Sequence, residues 1–244
     1  LEAYTPFIPL NSDDSGIPCA ILKYRVRNTA DCKTDVCVVG TLPNASGFEG
    51  YDVIENLKLA DSVKNEFRES GKVRGLYYTP EHLEESHLRY GNMAIMTDAP
   101  HITYKVQWLD GEWVDGIQDF WDDFTSDGRL EAESTSDSIG CEFAQFHDFS
   151  FLKRREKIGS LGIFETLEPG EEKEFQFVIT WYFPNRVKAW IEFDEDYENF
   201  LKGAYGTVRN YYATLFKDAW HVGEYVYKNM ERLEKRSRDF RNAM

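Results

Sequence analysis

The hydrophobic residues in the first part of the chain recur at every second position, which is the period of β-strands. The clearest example is the stretch 174–183, where Phe175, Phe177, Ile179 and Trp181 would share one face of a strand. Short apolar or β-branched runs between turn residues predict further strands at residues 20–27, 35–40, 75–78, 91–97, 101–108 and 158–164. Since no long helical segment separates these strands, the pattern predicts a mainly β fold, an antiparallel β-sandwich.

Two segments depart from this strand pattern. Residues 44–71 are polar and contain glycine, which predicts a loop with one short helix at residues 62–69. Residues 120–124 carry aromatic and acidic side chains without alternation, and we expect a helical turn or loop there.

The pattern changes again after Pro184, the last proline, and becomes helical from Arg209 onward. Apolar residues then form one stripe at steps of three and four: Tyr212, Leu215, Phe216, Ala219, Val222, Val226, Met230 and Leu233. A helix over residues 208–240 would be about 50 Å long, longer than one face of such a sandwich. We therefore expect a sandwich domain at residues 1–205 that covers only part of the stripe of an amphipathic C-terminal linker helix, residues 206–244.

The uncovered part of this stripe would need another partner. The residues that we expect to contact a further domain are Tyr212, Phe216, Trp220, Val226 and Met230. In the isolated chain we expect self-association or fraying of the last turns, because long unpacked helices are marginally stable. Gly223 marks the expected place of bending, since glycine weakens a helix by about 1 kcal/mol relative to alanine.

Charge and composition restrict the class of partner. The chain has 28 basic and 43 acidic residues, a formal net charge of −15, which argues against nucleic acid and anionic membranes as partners. No apolar run approaches the roughly 20 residues of a membrane helix, and no signal peptide is visible. These features favour a soluble, cytoplasmic protein, although the compartment stays unknown because the first residue, Leu1, is not a methionine.

No residue carries a recognisable catalytic, cofactor or metal motif. Asp122 and Asp123 are adjacent acids on an expected loop, where carboxylates are usually solvated and are not an enclosed acid/base pair. The histidines and the four cysteines lack metal-ligand spacing, and no nucleotide-binding loop is present. Trp108 and Trp113 bracket an Asp-Gly turn and are the candidates for stacking on a sugar, against the alternative that they pack in the core.

Several stretches, in the same order along the chain, resemble one known family. They are residues 5–11 (TPFIPLN), 14–18 (DSGIP), 180–186 (TWYFPNR), and 210–212 (NYY) with 216–220 (FKDAW). Together they resemble the N-terminal region of glycoside hydrolase family 116, the family of the non-lysosomal glucosylceramidase (bile acid β-glucosidase) and bacterial β-glucosidases. The resemblance implies a β-sandwich joined by helices to an (α/α)6 barrel, which holds the catalytic Glu and Asp of a retaining mechanism.

By this resemblance the chain begins part-way through the sandwich and stops where the barrel would start. No catalytic residue is therefore assigned to any position, and we expect the chain alone to be inactive on aryl β-glucosides. The implied role is an accessory domain of a β-glucosidase or glucosylceramidase that packs on its catalytic barrel, while the parent enzyme handles the β-glycoside substrate. The alternatives are a carbohydrate-binding module, suggested by the aromatic content, and a protein-interaction sandwich without a sugar role, suggested by the helix stripe.

Overall fold

The computed structural model of the protein describes residues 1–51, 57–109, 115–132, 157–188 and 207–244. Two antiparallel sheets form its centre. The six-stranded sheet has the order β1 (Glu2–Tyr4), β2 (Cys19–Arg27), β11 (Glu172–Tyr182), β8 (Asn92–Thr97), β7 (Val73–Pro80) and β6 (Val63–Ser70). The three-stranded sheet has the order β3 (Thr34–Pro43), β10 (Ile158–Leu167) and β9 (Ile102–Lys105).

The remaining elements are short strand pairs and helices. Strand β4 (Phe48–Tyr51) pairs with β5 (Leu57–Leu59), and β12 (Asn185–Val187) pairs with β13 (Thr207–Arg209). The helices are α1 (Ser12–Ser15), α2 (Asp115–Asp127), a 3-10 helix (Tyr211–Thr214) and α3 (Ala219–Ala243). Among the residues that the structure describes, no helix has both the length and the apolar character needed to cross a membrane.

The core between the two sheets confirms the predicted antiparallel fold. Phe175 and Phe177 of β11 are buried against Leu161 and Ile163 of β10, on the face that the alternating pattern identified. Ile179 packs against the edge of the same cluster. Burying a large apolar side chain stabilises the fold by about 1.5–3 kcal/mol, so this face of β11 alone accounts for much of the attachment of the two sheets.

The opposite face of the six-stranded sheet is also buried, because helix α3 lies across it. Val178 and Tyr182 of β11 belong to a second core cluster that includes Val222 and Val226 of α3. The hydroxyl of Thr180 is buried in the same layer and donates a hydrogen bond to the carbonyl of Ala219, 2.8 Å away. The fold therefore has three layers, and α3 is the third.

Helix α3 begins later than its sequence period predicts. The expected start near residue 208 is wrong, since the helix begins at Ala219 and residues 207–214 form β13 and the 3-10 helix. Asp218 sets this start, because its carboxylate accepts a hydrogen bond from the backbone N–H of His221 and caps the first turn. Asn92 adds a second contact, accepting from the N–H of Ala219 at 2.7 Å.

The six-stranded sheet covers more of the helix stripe than we expected. Val222, Val226 and Leu233 are fully buried, and Trp220 packs edge-on against Tyr77 with ring centres 6.4 Å apart. Coverage is still partial, as expected, because Tyr212 and Met230 are half-buried and Leu215 is exposed. The coverage is larger than expected because the sheet extends under the helix as far as Leu233. The sequence pattern predicts apolar residues on only one face of the central strand.

Two of the irregular segments also form different structure from the one expected. Residues 62–69 were expected as a short helix, but residues 63–69 lie in strand β6, which pairs along its length with β7. The pairing outweighs the weak local preference of these polar residues. The aromatic and acidic residues 120–124 belong to α2, a helix of 13 residues.

Gly223 is a point of close approach between α3 and the six-stranded sheet. A Cβ atom added there would lie 2.0 Å from the sulfur of Met96, a side chain of β8 that is fully buried. The glycine therefore allows the helix to approach the sheet, and its role is not that of a flexible joint.

We predict that Gly223→Ala destabilises the protein although alanine is the better helix former. Displacing the buried Met96 side chain should cost about 1–3 kcal/mol, more than the gain of roughly 1 kcal/mol in helix propensity. Urea unfolding at neutral pH would measure the difference in free energy. The matched control is Glu231→Ala on the exposed side of α3, which should change stability by about 0.5 kcal/mol or less. A Gly223→Ala variant more stable than the native chain would contradict the close approach.

Candidate functional site

The stretches that carry the family resemblance described above meet around helix α3. Residues 5–18 lie along the helix, residues 180–186 end the central strand beneath it, and residues 210–220 lead into its first turn. We call this assembly the motif cluster. Segments far apart in sequence are therefore brought together on one side of the molecule, which makes the cluster the candidate functional site.

The N-terminal arm, residues 2–18, runs antiparallel along α3. Its first residues contact the C-terminal end of the helix, where Glu2 pairs with Arg241 at 3.1 Å. Further along, the N–H of Phe7 donates to the hydroxyl of Ser237 at 3.0 Å, and the Phe7 ring lies 5.2 Å from that of Phe240. The helix is thus held between the arm and the six-stranded sheet.

Asp14 is the buried polar centre of the arm, and its carboxylate joins α1 to α3. It accepts hydrogen bonds from Arg232 at 3.0 Å, from the hydroxyl of Tyr225 at 2.9 Å and from the side chain of Asn11 at 2.7 Å. The hydrogen bond from Arg232 is the main cause that lowers the pKa of Asp14, with Tyr225 and Asn11 acting in the same direction against the effect of burial. The carboxylate is therefore ionised at neutral pH.

The lead-in to α3 is fixed on the end of β11. Tyr212 donates its hydroxyl proton to the carbonyl of Phe183 at 2.6 Å and accepts from the Phe183 N–H at 3.1 Å. Asn210 donates to the same carbonyl at 2.8 Å, and Arg209 donates to the hydroxyl of Tyr182 at 2.7 Å. Four polar contacts therefore hold the 3-10 helix in place beside the sheet.

Exposed apolar side chains lie on the outer side of the motif cluster: Phe7, Leu10, Tyr211 and Leu215. Leu10 is fully exposed and has a φ of 61°, and it is the one non-glycine residue with positive φ in the described part of the chain. It occupies a turn closed by the hydrogen bond from the Asn11 N–H to the Ile8 carbonyl at 3.1 Å. This conformation costs about 1–2 kcal/mol, and such strain is concentrated at functional positions.

The five residues named as interdomain candidates divide into two groups. Phe216, Trp220 and Val226 are buried inside the chain, so a further domain would have to make its contacts through other side chains. Tyr212 and Met230 are half-buried at the edge of the core beneath α3. A contact of these two with another domain stays a prediction.

Trp108 is partly used by the fold itself. Its ring stacks on Phe120 of α2 with centres 4.6 Å apart, and its N–H donates to the hydroxyl of Ser160 at 2.8 Å. One face of the ring is therefore covered. Trp113 lies outside the described residues, so the proposed pair of sugar-stacking tryptophans stays untested.

The adjacent acids lie on a helix, which corrects the expectation that they are solvated on a loop. Asp123 is bound to the buried amine of Lys105 at 3.1 Å, and Asp119 lies 3.3 Å from the same amine. Asp122 is exposed and accepts a hydrogen bond from Gln118. Asp119 and Asp123, not Asp122, therefore attach α2 to β9 through Lys105. Within the described ranges no group of three or more His, Cys, Asp or Glu side chains could hold a metal ion.

Sequence reasoning missed Asp14, which holds the motif cluster together, and Leu10, the exposed turn residue on its outer side. Asn11 precedes Asp14 by three residues, a spacing typical of a capped helix start, and this signal could have located α1. Nothing in the sequence identifies Arg232 as the partner of Asp14. Leu10 follows a proline, which predicts a turn but not a positive φ at a leucine.

The comparison with known families gives one match. A family model described as "beta-glucosidase 2, glycosyl-hydrolase family 116 N-term" matches residues 1–233. The matched range includes the arm, the strands of both sheets and α3 as far as Leu233. No curated protein matches the chain.

We predict that Asp14→Asn destabilises the protein by about 1–2 kcal/mol at pH 7, because Arg232 and Tyr225 lose a charged acceptor. Since folding lowers the pKa of Asp14, its contribution is present above the unfolded pKa of about 4 and is lost as the pH falls through the folded value. Urea unfolding should therefore show that the variant's free energy of unfolding lies below that of the native chain at pH 7, and that this difference is smaller at pH 3.

The matched control for this experiment is Asp31→Asn, which removes an exposed carboxylate from the loop between β2 and β3. Its effect should be about 0.5 kcal/mol or less at both pH values. An Asp14→Asn variant as stable as this control at pH 7 would contradict the role of the carboxylate.

Proposed function

The chain belongs to the N-terminal domain family of glycoside hydrolase family 116, and from this membership we propose that it packs on and supports the catalytic domain of a retaining β-glycosidase. Membership in an N-terminal family of β-glucosidases implies a parent protein with a catalytic domain. The finer parts of the proposal are that this domain is an (α/α)6 barrel, and that the parent acts on β-glucosides or glucosylceramide-like substrates.

The observation that carries the proposal is the strained, fully exposed Leu10 on the motif cluster. An apolar side chain held in an unfavourable backbone conformation gains nothing from the isolated fold, because it contacts water. Burial against a second domain would recover about 1.5–3 kcal/mol, enough to offset the cost of the turn. Phe7, Tyr211 and Leu215 offer further apolar area on the same cluster.

The rigidity of the arm also supports a docking role. Asp14 and its partners hold α1 on the helix, and the hydroxyl of Tyr211 donates to Asp13 of α1. The exposed residues are therefore displayed on segments whose positions are already fixed. A preformed surface loses little conformational entropy on association, which favours a stable interdomain contact.

In this proposal residues 1–205 and 206–244 are not a domain and a separate linker, because α3 packs into the core of the same domain. The C-terminal segment still leads toward the catalytic domain, but α3 does so as a packed layer of the domain. The exposed side chains beside its first turn and along the arm would then contact the barrel. Catalytic carboxylates belong to the parent's catalytic domain, and this domain's contribution is support and orientation.

The carbohydrate-binding alternative has less support from the described residues. Trp108 has one ring face against Phe120 and its N–H already donates to Ser160. A sugar platform usually needs an open ring face with polar neighbours free to bond hydroxyl groups. The remaining face of Trp108 would therefore have to supply the binding energy alone.

We predict that Leu10→Gly weakens docking without destabilising the domain. Glycine adopts a φ of 61° without strain, so the free energy of unfolding should stay equal or rise by up to about 1 kcal/mol. Affinity for the parent's catalytic domain, supplied as a separate polypeptide, should fall roughly 5–30-fold through the lost apolar contact. Isothermal titration calorimetry and urea unfolding measure the two effects separately.

The matched control is Ile117→Ala on α2, an exposed apolar residue on a helix that is attached to the three-stranded sheet. The affinity of this variant for the catalytic domain should stay within about twofold of the native value, because that side of the molecule lies away from the motif cluster. Native affinity in the Leu10→Gly variant, or no association of the native chain with the catalytic domain, would overturn the proposal.

A further inference from the structure

A cleft of about 540 Å³ lies at the end of the six-stranded sheet where three connecting segments meet. Its walls are mostly apolar, and its volume falls in the range of small-molecule sites. The side chains that matter for its chemistry are Phe48, Leu88, Met93, Phe183, Arg186 and Val187. Phe183, Asn185 and Arg186 belong to the motif cluster, but the docking proposed above does not use them, and the family membership assigns no ligand to the cleft.

The walls of the cleft are held in place by hydrogen bonds between the three segments. The side-chain amide of Asn185 donates to the carbonyls of Glu85 at 2.7 Å and His87 at 2.9 Å. Arg89 donates to the carbonyl of Phe48 at 2.7 Å, which attaches the third segment. The cleft is therefore formed before any ligand arrives.

Phe183 has a fixed position in this wall. Its ring lies directly on the backbone of Gly91, where an added Cβ atom would come within 2.0 Å of the ring. Its backbone is bonded on both sides, with its N–H donating to Tyr212 and its carbonyl accepting from Asn210. The cleft therefore has a rigid aromatic surface on one side.

The charge of the cleft is opposite to that of the whole protein. The chain carries a formal net charge of −15, yet the described lining includes two arginines and no carboxylate. Arg89 is partly compensated by Glu49, whose carboxylate lies 3.8 Å from its Nε. Arg186 is exposed and takes part in no ion pair within the described part of the chain, so it supplies surplus positive charge at the cleft.

We propose that this cleft binds an amphipathic organic anion, a flat apolar body that carries one sulfonate, sulfate or carboxylate group. The apolar body would lie against Phe183, Phe48 and Met93, and the anionic group would meet the guanidinium of Arg186. A planar guanidinium donates two parallel hydrogen bonds to such a group. The chain alone should therefore bind the ligand, without the catalytic domain.

The test uses naphthalene-2-sulfonate and its neutral match, naphthalene-2-sulfonamide, with the full chain labelled with ¹³C at the methionine methyl groups. The Met93 methyl signal should shift saturably with both compounds, since Met93 lines the cleft. Met96 is buried beneath α3 on the other face of the sheet and should not shift. The sulfonate should bind about fivefold more tightly, the preference expected from one exposed charge contact.

Substitution of Arg186 separates the charge contact from apolar binding. Arg186→Gln should remove the preference for the sulfonate, while Arg25→Gln, at an exposed arginine of β2, should retain it. Both positions are on the surface, so both variants should fold. The proposal is overturned if Met93 shows no saturable shift, if Met96 shifts equally, if the two compounds bind alike to the native chain, or if Arg186→Gln keeps the preference.

Discussion

The six-stranded sheet is buried on both faces, because the three-stranded sheet covers one face and helix α3 covers the other. At Gly223 the helix comes so near the sheet that an added Cβ atom would collide with Met96. The arm depends on both layers, because β1 pairs with β2 of the sheet while Phe7 and Asp14 bond to α3. The 3-10 helix is held by the end of β11, through Tyr182 and Phe183, at the point where the chain enters α3.

The strand alternation was enough to predict the sandwich but not its third layer. Phe175, Phe177 and Ile179 are uniformly apolar, and their shared face gives a clear signal. The opposite face presents Val178, Thr180 and Tyr182, which resemble a solvated face because two of them carry hydroxyl groups. Those hydroxyls are bonded to the backbone of Ala219 and to Arg209, so the face is buried although it is partly polar. Only the placement of α3 reveals this.

The candidate site could be predicted in part. The family stretches identified the segments that meet around α3, yet the contacts that join them are long-range. Asp14 and Arg232 are 218 residues apart, and an acidic residue in a short polar helix is ordinarily read as surface. Likewise the interdomain candidates Phe216, Trp220 and Val226 are typical of an interface. Their apolar character fits this chain's own sheet and another domain equally well.

The chain is an N-terminal domain of glycoside hydrolase family 116 in which α3 is an integral layer and the arm carries exposed apolar side chains. Hydrogen exchange on the isolated chain tests this most directly, because it reports local opening of the helix. We expect the amides of residues 222–233 to be protected within about tenfold of those of residues 175–181, since both belong to one packed unit. Exchange in α3 that is a hundredfold faster or more, with the strands still protected, would show that the helix is not part of the core and would contradict the three-layer fold.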